Sequence, residues 1–423
     1  MEKFRMLGGR RLSGEVLVSG AKNAALPCLA ASLLTREPVV LENLPRVRDI
    51  VTMEKVLAAL GESCTLDQGA TTVVAGGSDA FHAPYELVRT MRASVLVLGP
   101  VLARRRRARV SLPGGCAIGA RPVDFHIAAL AHLGAEIRIE HGDLVAEANG
   151  GLRGAEIAFP RITVTGTENL LMAATLARGR TLLHNCAREP EVADLAELLT
   201  AMGAHIVGAG TSTIEIEGVA ELGGARHAVI PDRIEAGTYV LAALLAGDGV
   251  TVRGCCPEHL GALLAVLRET GATLAASSSE ILVPAQPLPP RAVSLTTAEY
   301  PGFPTDLQAQ YLALMTQVAG ECTVVEAIFE NRFQHALELM RLGARIEVVG
   351  RAAHVTGPSP LEGTCVMASD LRASAALVLA GLVARGETVI DRIYHLDRGY
   401  EAMERKLNAL GAAIERYNPG PYL

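Results

Sequence analysis

One cysteine, Cys116, stands in the glycine-rich stretch Leu112–His126, with Arg121 five residues further on. Gly114, Gly115 and Gly119 give that stretch backbone shapes that other residues avoid. A thiol in such a loop has no evident packing role and reads as a chemical group. With an ordinary pKa near ~8.5 it keeps its proton at neutral pH, and a nearby guanidinium draws it toward thiolate.

Further reactive side chains stand where apolar helices are expected to begin. Lys22 and Asn23 open the first such helix and Arg92 the second. Thr165, Thr167 and Glu168 open the third, and Asp232, Arg233 and Glu235 the fourth. Asp306 opens the fifth, and Asp370 with Arg372 the sixth. A helix N-terminus already carries partial positive charge, so Lys22, Arg92 and Arg372 there are unfavourable unless an anion is expected. With the backbone amides they make an anion site. In Pro304–Gln308, Thr305 and Gln308 read as a T-x-x-Q capping box, with Asp306 an ordinary first-turn acid. Facing cations, the same carboxylate also suits a general base. Arg398 follows the sixth strand with Arg392 and Asp397. A guanidinium there suits a carboxylate or phosphate.

The elements that position these groups repeat. A helix running into Gly recurs at Gly61, Gly134, Gly203, Gly271, Gly343 and Gly411, spaced by 73, 69, 68, 72 and 68 residues. Glycine supplies the left-handed residue that ends a helix, and six such copies indicate internal repetition. Each unit also opens with a second helix, apolar nearly all round, followed by a strand, as in residues 24–34 then 39–41 and 373–384 then 388–391. Such helices belong in the interior. The later helix of each unit, for example 194–202, carries charge on one face and is expected outside. Each unit therefore reads as an αβ fold of about 70 residues with helices inside and sheets outside. Six units divide as three and three: residues 22–230 form one domain and 231–423 the other, completed by residues 1–21. Equivalent helix starts should then face the gap between the two.

Bulk properties narrow the class. At 423 residues the chain exceeds one core. With 4 % aromatics and no Trp, the interior must be built from Ala, Leu and Val. A net charge of −6 argues against nucleic-acid binding. The run Arg104–Arg107 with Arg109 lacks interleaved aromatics and reads as a solvated turn. Eight scattered cysteines, with no C-x-x-C, fit reduced thiols in the cytoplasm. The N-terminal residues lack a signal-peptide core, and no apolar run approaches a membrane span.

Together these segments resemble the enolpyruvyl transferases, most closely those whose acceptor is UDP-N-acetylglucosamine in peptidoglycan synthesis. The motifs are residues 19–24, 91–94, 112–124, 231–235, 303–306, 330–333, 369–374 and 397–401. The resemblance implies two inside-out αβ barrels of three repeats each. It implies transfer of the enolpyruvyl group of phosphoenolpyruvate to the 3′-hydroxyl, with release of phosphate. By the same likeness Cys116 is the general acid and the carrier of a covalent phosphoenolpyruvate adduct, and Asp306 is the favoured base. Lys22, Asn23, Arg121, Arg372 and Arg398 surround phosphoenolpyruvate. Arg92, Arg121, Pro122, Val123, Asp124, Phe125, Arg161, Ile162, Thr163, Val164, Asp306 and Ile328 hold the nucleotide sugar. No cofactor and no metal is implied, and a monomer is the favoured state. Two departures from the family pattern are Leu96, where some members carry an aromatic, and the arginine run, where glycines are usual. A relative acting on another uridine nucleotide shares the cysteine loop, so the loop alone does not separate the two. The shikimate-pathway relative lacks it. A non-catalytic nucleotide-sugar sensor would be free to lose the charged residues that are present here.

Overall fold

The computed structural model describes residues 2–89, 91–112 and 123–420, which divide into two compact units. The chain passes between them at 19/20 and at 230/231. Each unit has its own hydrophobic core. Cys116, Arg121 and Pro122 lie outside the described residues, as do Gly114, Gly115 and Gly119.

Three axial helices run through the N-terminal unit: α1 (Lys22–Ala31), α2 (Leu98–Arg105) and α3 (Val164–Ala174). Three run through the C-terminal unit: α4 (Arg233–Ala246), α5 (Gln308–Met315) and α6 (Leu371–Val383). Their sequences are apolar nearly all round beyond their first turns, and α1 is buried without interruption from Ala24 to Ala31. Among the described residues, six four-stranded sheets surround these helices, three per unit. The helices-inside, sheets-outside arrangement is therefore present.

The sheets share one pattern. The strand after an axial helix pairs parallel to an edge strand and antiparallel to an inner hairpin. In the third repeat, Arg180–His184 pairs parallel to Glu156–Ala158 and antiparallel to Thr213–Glu217. The chain's first strands complete the C-terminal unit. Leu12–Leu17 is the parallel edge beside Gly247–Arg253, and Lys3–Leu7 sits between Glu387–Asp391 and Ile414–Tyr417. The six repeat glycines all lie after the later helix of their repeat with φ between 87° and 110°, the left-handed geometry that closes a helix.

Two expectations fail. The helix Pro190–Ala201 does not pack outside: eight of its twelve residues are buried. Its charge is tolerated because Asp194 is bonded. The Cys28 thiol donates to it from α1, and His227 Nε2 lies 2.9 Å away. The arginine run is not a solvated turn. Arg104 and Arg105 close α2, Arg106 is its left-handed cap (φ 60°), and Arg107–Ser111 is a strand. Glu62, a buried carboxylate, explains this, since Arg105 Nη2 reaches it at 2.7 Å and Arg104 Nη1 at 3.5 Å. A charge so placed must be paired.

Candidate active site

In the C-terminal unit the site grows from one loop. Buried Glu326 follows the strand Gly320–Val325 and accepts from the Ile328 and Phe329 amides at 2.9 and 3.1 Å. It also accepts from the Thr297 hydroxyl at 3.0 Å and the Thr305 hydroxyl at 2.7 Å. Thr305 is thereby oriented to accept from Arg332 Nη1 at 2.7 Å. Arg332 Nη2 donates to Asp306 Oδ1 and Arg372 Nη2 to Asp306 Oδ2, each at 2.7 Å. Both arginines are almost wholly buried, while 26 % of the Asp306 side chain remains open. Burial works against ionising Asp306. Arg372 and then Arg332 overcome it and hold the carboxyl well below the usual range.

The expected capping box at Thr305 and Gln308 does not form. The Thr305 hydroxyl is committed to Glu326 and Arg332, and neither end of the Gln308 amide has a partner among the described residues. Asp306 lies in a 3-10 turn, Thr305–Leu307, ahead of α5. Arg92 likewise lies in a 3-10 turn, Arg92–Val97, ahead of α2.

The helix starts divide into two kinds. At α4 and α6 the first amides are already taken: Asp232 accepts from Ile234 and Glu235, and Asp370 from Arg372 and Ala373. These acids are N-caps, so the backbone there does not offer the open anion site expected from the sequence. At α1 no side chain caps the helix start, and Lys22 Nζ lies 3.4 Å from Asp49. Arg398, half-exposed, ends the turn Ile393–Arg398, and its charge and burial together lower the pKa of His395, burial being the larger cause. Its neighbour Asp397 is bound to Arg416.

Two segments of the expected nucleotide-sugar site meet in the N-terminal unit. The Arg161 guanidinium lies over the Phe125 ring, 5.5 Å from its centroid. Val123 and Asp124 open the helix Asp124–His132, and Thr163 caps α3 by accepting from Gly166 at 3.2 Å. Ile162 and Val164 pack against the core, which leaves Arg161 exposed. Behind them Asn169 Oδ1 accepts from the Gly99 amide at 2.7 Å, and its Nδ2 donates to Val95 O at 2.9 Å. A Cβ on Gly99 would fall on that Asn169 oxygen.

The profile of the EPSP synthase (3-phosphoshikimate 1-carboxyvinyltransferase) family matches residues 6–407. A UDP-N-acetylglucosamine 1-carboxyvinyltransferase of Koribacter versatilis is 59 % identical, covering 98 % of this chain and 96 % of its own. The chain belongs to the enolpyruvyl transferase family. A second relative of the same name, from Solibacter usitatus, is 58 % identical over 98 % of this chain and all of its own. Among solved structures, the enolpyruvyl transferase NikO from Streptomyces tendae is 28 % identical with a TM-score of 0.89, covering 98 % of this chain and 99 % of its own. EPSP synthase from Acinetobacter baumannii, 18 % identical with a TM-score of 0.72 over 99 % of this chain and 100 % of its own, shares the fold.

Within this enolpyruvyl transferase, Arg332 lies in the motif 330–333 without an expected role, and Glu326 lies in none of the motifs. Their partners lie up to 29 residues away along the chain, so no local spacing marks them. Among the described residues, one group has metal-ligand geometry: Cys28, Asp194 and His227, with donor atoms within 4.8 Å. These atoms are already bonded to one another, and burial and Asp194 push the Cys28 thiol well up, so the group ties α1 to its neighbours as a protonated thiol. No helix among the described residues is long and apolar enough to cross a membrane.

Proposed function

We propose that this protein transfers the enolpyruvyl group of phosphoenolpyruvate to the 3′-hydroxyl of UDP-N-acetylglucosamine, the committing step of peptidoglycan synthesis, in the cytoplasm. The observation that carries this is near-complete similarity at 54–59 % identity to three relatives named for that activity. NikO stands at 28 %.

The roles proposed are those that the family resemblance implies, and they are chemically consistent. Cys116 gives its thiol proton to the methylene carbon of phosphoenolpyruvate, leaving the neighbouring carbon electron-poor. The sugar oxygen bonds to that carbon and its proton passes to Asp306, giving a tetrahedral ketal. Loss of a methyl proton back to the Cys116 thiolate re-forms the double bond, the C–O bond to phosphate breaks, and the proton held by Asp306 passes to the released phosphate, which resets the base. Lys22, Arg121 and Arg398 balance the charges of phosphoenolpyruvate and of the departing phosphate. Asn23 and Arg92 add polar contacts, and Arg161 with Phe125 offers a cation and a ring to the nucleotide.

Asp306 is a weak proton acceptor while two guanidiniums hold it. Arg372 is the element that can change this. An incoming carboxylate or phosphate competes for the guanidinium, and release of one oxygen raises the basicity of Asp306. Arg332 and Glu326 are positioning residues, which keep the aspartate aimed once Arg372 turns to substrate. The test is phosphate release with phosphoenolpyruvate and, in parallel, UDP-N-acetylglucosamine, UMP or 3-phosphoshikimate. Release with the first acceptor alone supports the assignment, and release only with UMP or 3-phosphoshikimate overturns it.

A further inference from the structure

The arginine run takes no part in that chemistry, yet it lines a cavity of about 930 Å³ inside the N-terminal unit. Six arginines border it, Arg36, Arg104, Arg105, Arg106, Arg107 and Arg178, against three acids, Glu37, Asp79 and Glu221. The volume is that of a small-molecule site, typically ~300–1,000 Å³.

These arginines divide by task. Arg104 and Arg105 serve the fold. Arg104 donates to Leu33 O at 2.9 Å and Arg105 to Leu60 O at 2.7 Å, and both pair with Glu62. They thereby satisfy carbonyls at element ends. Arg107 lies over the Phe81 ring, 4.2 Å from its centroid. Arg36, Arg106 and Arg178 are exposed, with no ion-pair partner among the described residues. One comes from each repeat of the unit, each just past the end of an axial helix. Arg105 Nε, in a side chain only 3 % exposed, is a further donor without a partner.

The matching turns of the other unit show that the repeat itself does not demand this. They read Ala246-Gly-Asp-Gly249, Val318-Ala-Gly-Glu321 and Ala384-Arg-Gly-Glu387, with one arginine among them. Cations at helix C-termini are favourable in general, but that would favour arginine in both units alike. Three exposed arginines at equivalent turns, all bordering one concavity, have no counterpart in the matching turns of the other unit, and a guanidinium is suited to phosphate oxygens.

We propose that this cavity is a second anion site, distinct from the residues assigned to catalysis, that takes a small soluble ligand bearing two or more phosphate groups. The concave shape favours a small ligand over a membrane, which would need a flat or convex basic face. The test uses the full-length protein and inorganic tripolyphosphate as probe, followed by calorimetry. The pocket variant Arg36→Ser/Arg106→Gly/Arg178→Ser is compared with Lys22→Ala, which alters only the proposed catalytic anion site. Glycine suits the left-handed position 106, and all three side chains are exposed, so the fold is expected to persist. Should the triple variant fail to fold, the single Arg178→Ser replaces it. Loss of about tenfold or more in affinity in the pocket variant, but not in Lys22→Ala, supports the site. Equal affinity in wild type and pocket variant overturns it, as does no binding to wild type. Sedimentation of the wild type with anionic lipid vesicles but no tripolyphosphate binding also overturns it, in favour of a membrane surface. Phosphate release by the pocket variant without probe is expected to match wild type, which separates this proposal from the catalytic one.

Discussion

Arg372 Nη2 donates to Asp306 Oδ2 at 2.7 Å, and that contact ties the start of α6 to the turn before α5. It sets how strongly the assigned base holds a proton. Because the folded carboxyl is depressed, the contact stabilises the protein above the ordinary carboxylate pKa of ~3.9. That stabilisation is lost as pH falls through the lower folded value. Asp306→Asn should therefore melt below wild type at pH 7, and the gap should narrow as pH falls under about 4. A gap independent of pH would refute the direction assigned here.

Arg332 acts on catalysis through Asp306. Arg332→Ala should lower kcat by about 10²-fold, the scale of a roughly 1 Å misplacement, with a smaller change in KM. It should also raise the pH at which the assigned base titrates, since one cation is gone. Arg332→Lys should recover part of kcat. A variant that changed only thermal stability, with an unaltered pH profile, would make Arg332 structural.

His227 presents the opposite sign. Its hydrogen bond to Asp194 raises its pKa above 6.5, against the effect of burial. The bond stabilises fully below the unfolded value of ~6.5 and fades as pH rises through the higher folded one. Thermal melts of wild type and His227→Gln should differ more at pH 6 than at pH 9. An equal difference at both would remove the ionic part of this contact.

Asn169 is predicted to be a stability determinant of the N-terminal unit. Asn169→Ala strands the Gly99 amide and Val95 carbonyl in a dry interior, each at about 1–3 kcal/mol. Urea unfolding should show a loss of at least ~2 kcal/mol. A loss under ~0.5 kcal/mol would mean that water or a shifted side chain replaces it.

What the sequence made legible was periodic. The repeat glycines, the apolar axial helices and the division into threes follow from patterns visible within a few residues. What it hid was long-range. The T-x-x-Q spacing at Thr305 is genuine, but a buried Glu326 elsewhere in the chain claims the hydroxyl. The arginine run looks solvated until Glu62, some forty residues earlier, is placed beside it. The charged helix 190–201 looks external until Cys28 and His227 meet Asp194. In each case a distant partner reverses the local cost of a polar group.

Burial makes five of the cysteines other than Cys116 poor nucleophiles. Cys28, Cys186, Cys255 and Cys322 are buried, and burial pushes Cys64 and Cys186 up to about 12 and Cys255 and Cys322 up to about 11. Cys365 is exposed. Iodoacetamide should therefore label Cys365. The epoxide phosphonate fosfomycin should instead alkylate Cys116, drawn by the assigned cations. Cys116→Asp should escape inactivation while retaining turnover, because a protonated carboxyl can serve as the acid. Peptide mapping that placed the phosphonate on Cys365 would overturn the role given to Cys116.

The reaction itself tests the assigned activity most directly. The protein is mixed with phosphoenolpyruvate and UDP-N-acetylglucosamine, and both phosphate and the nucleotide product are followed. One phosphate should be released for each UDP-N-acetylglucosamine converted to its 3′-enolpyruvyl ether by mass, with turnover largely lost in Lys22→Ala and Arg398→Ala variants that remain folded. No phosphate release from a folded protein, or release without an enolpyruvyl ether on the sugar, would contradict it.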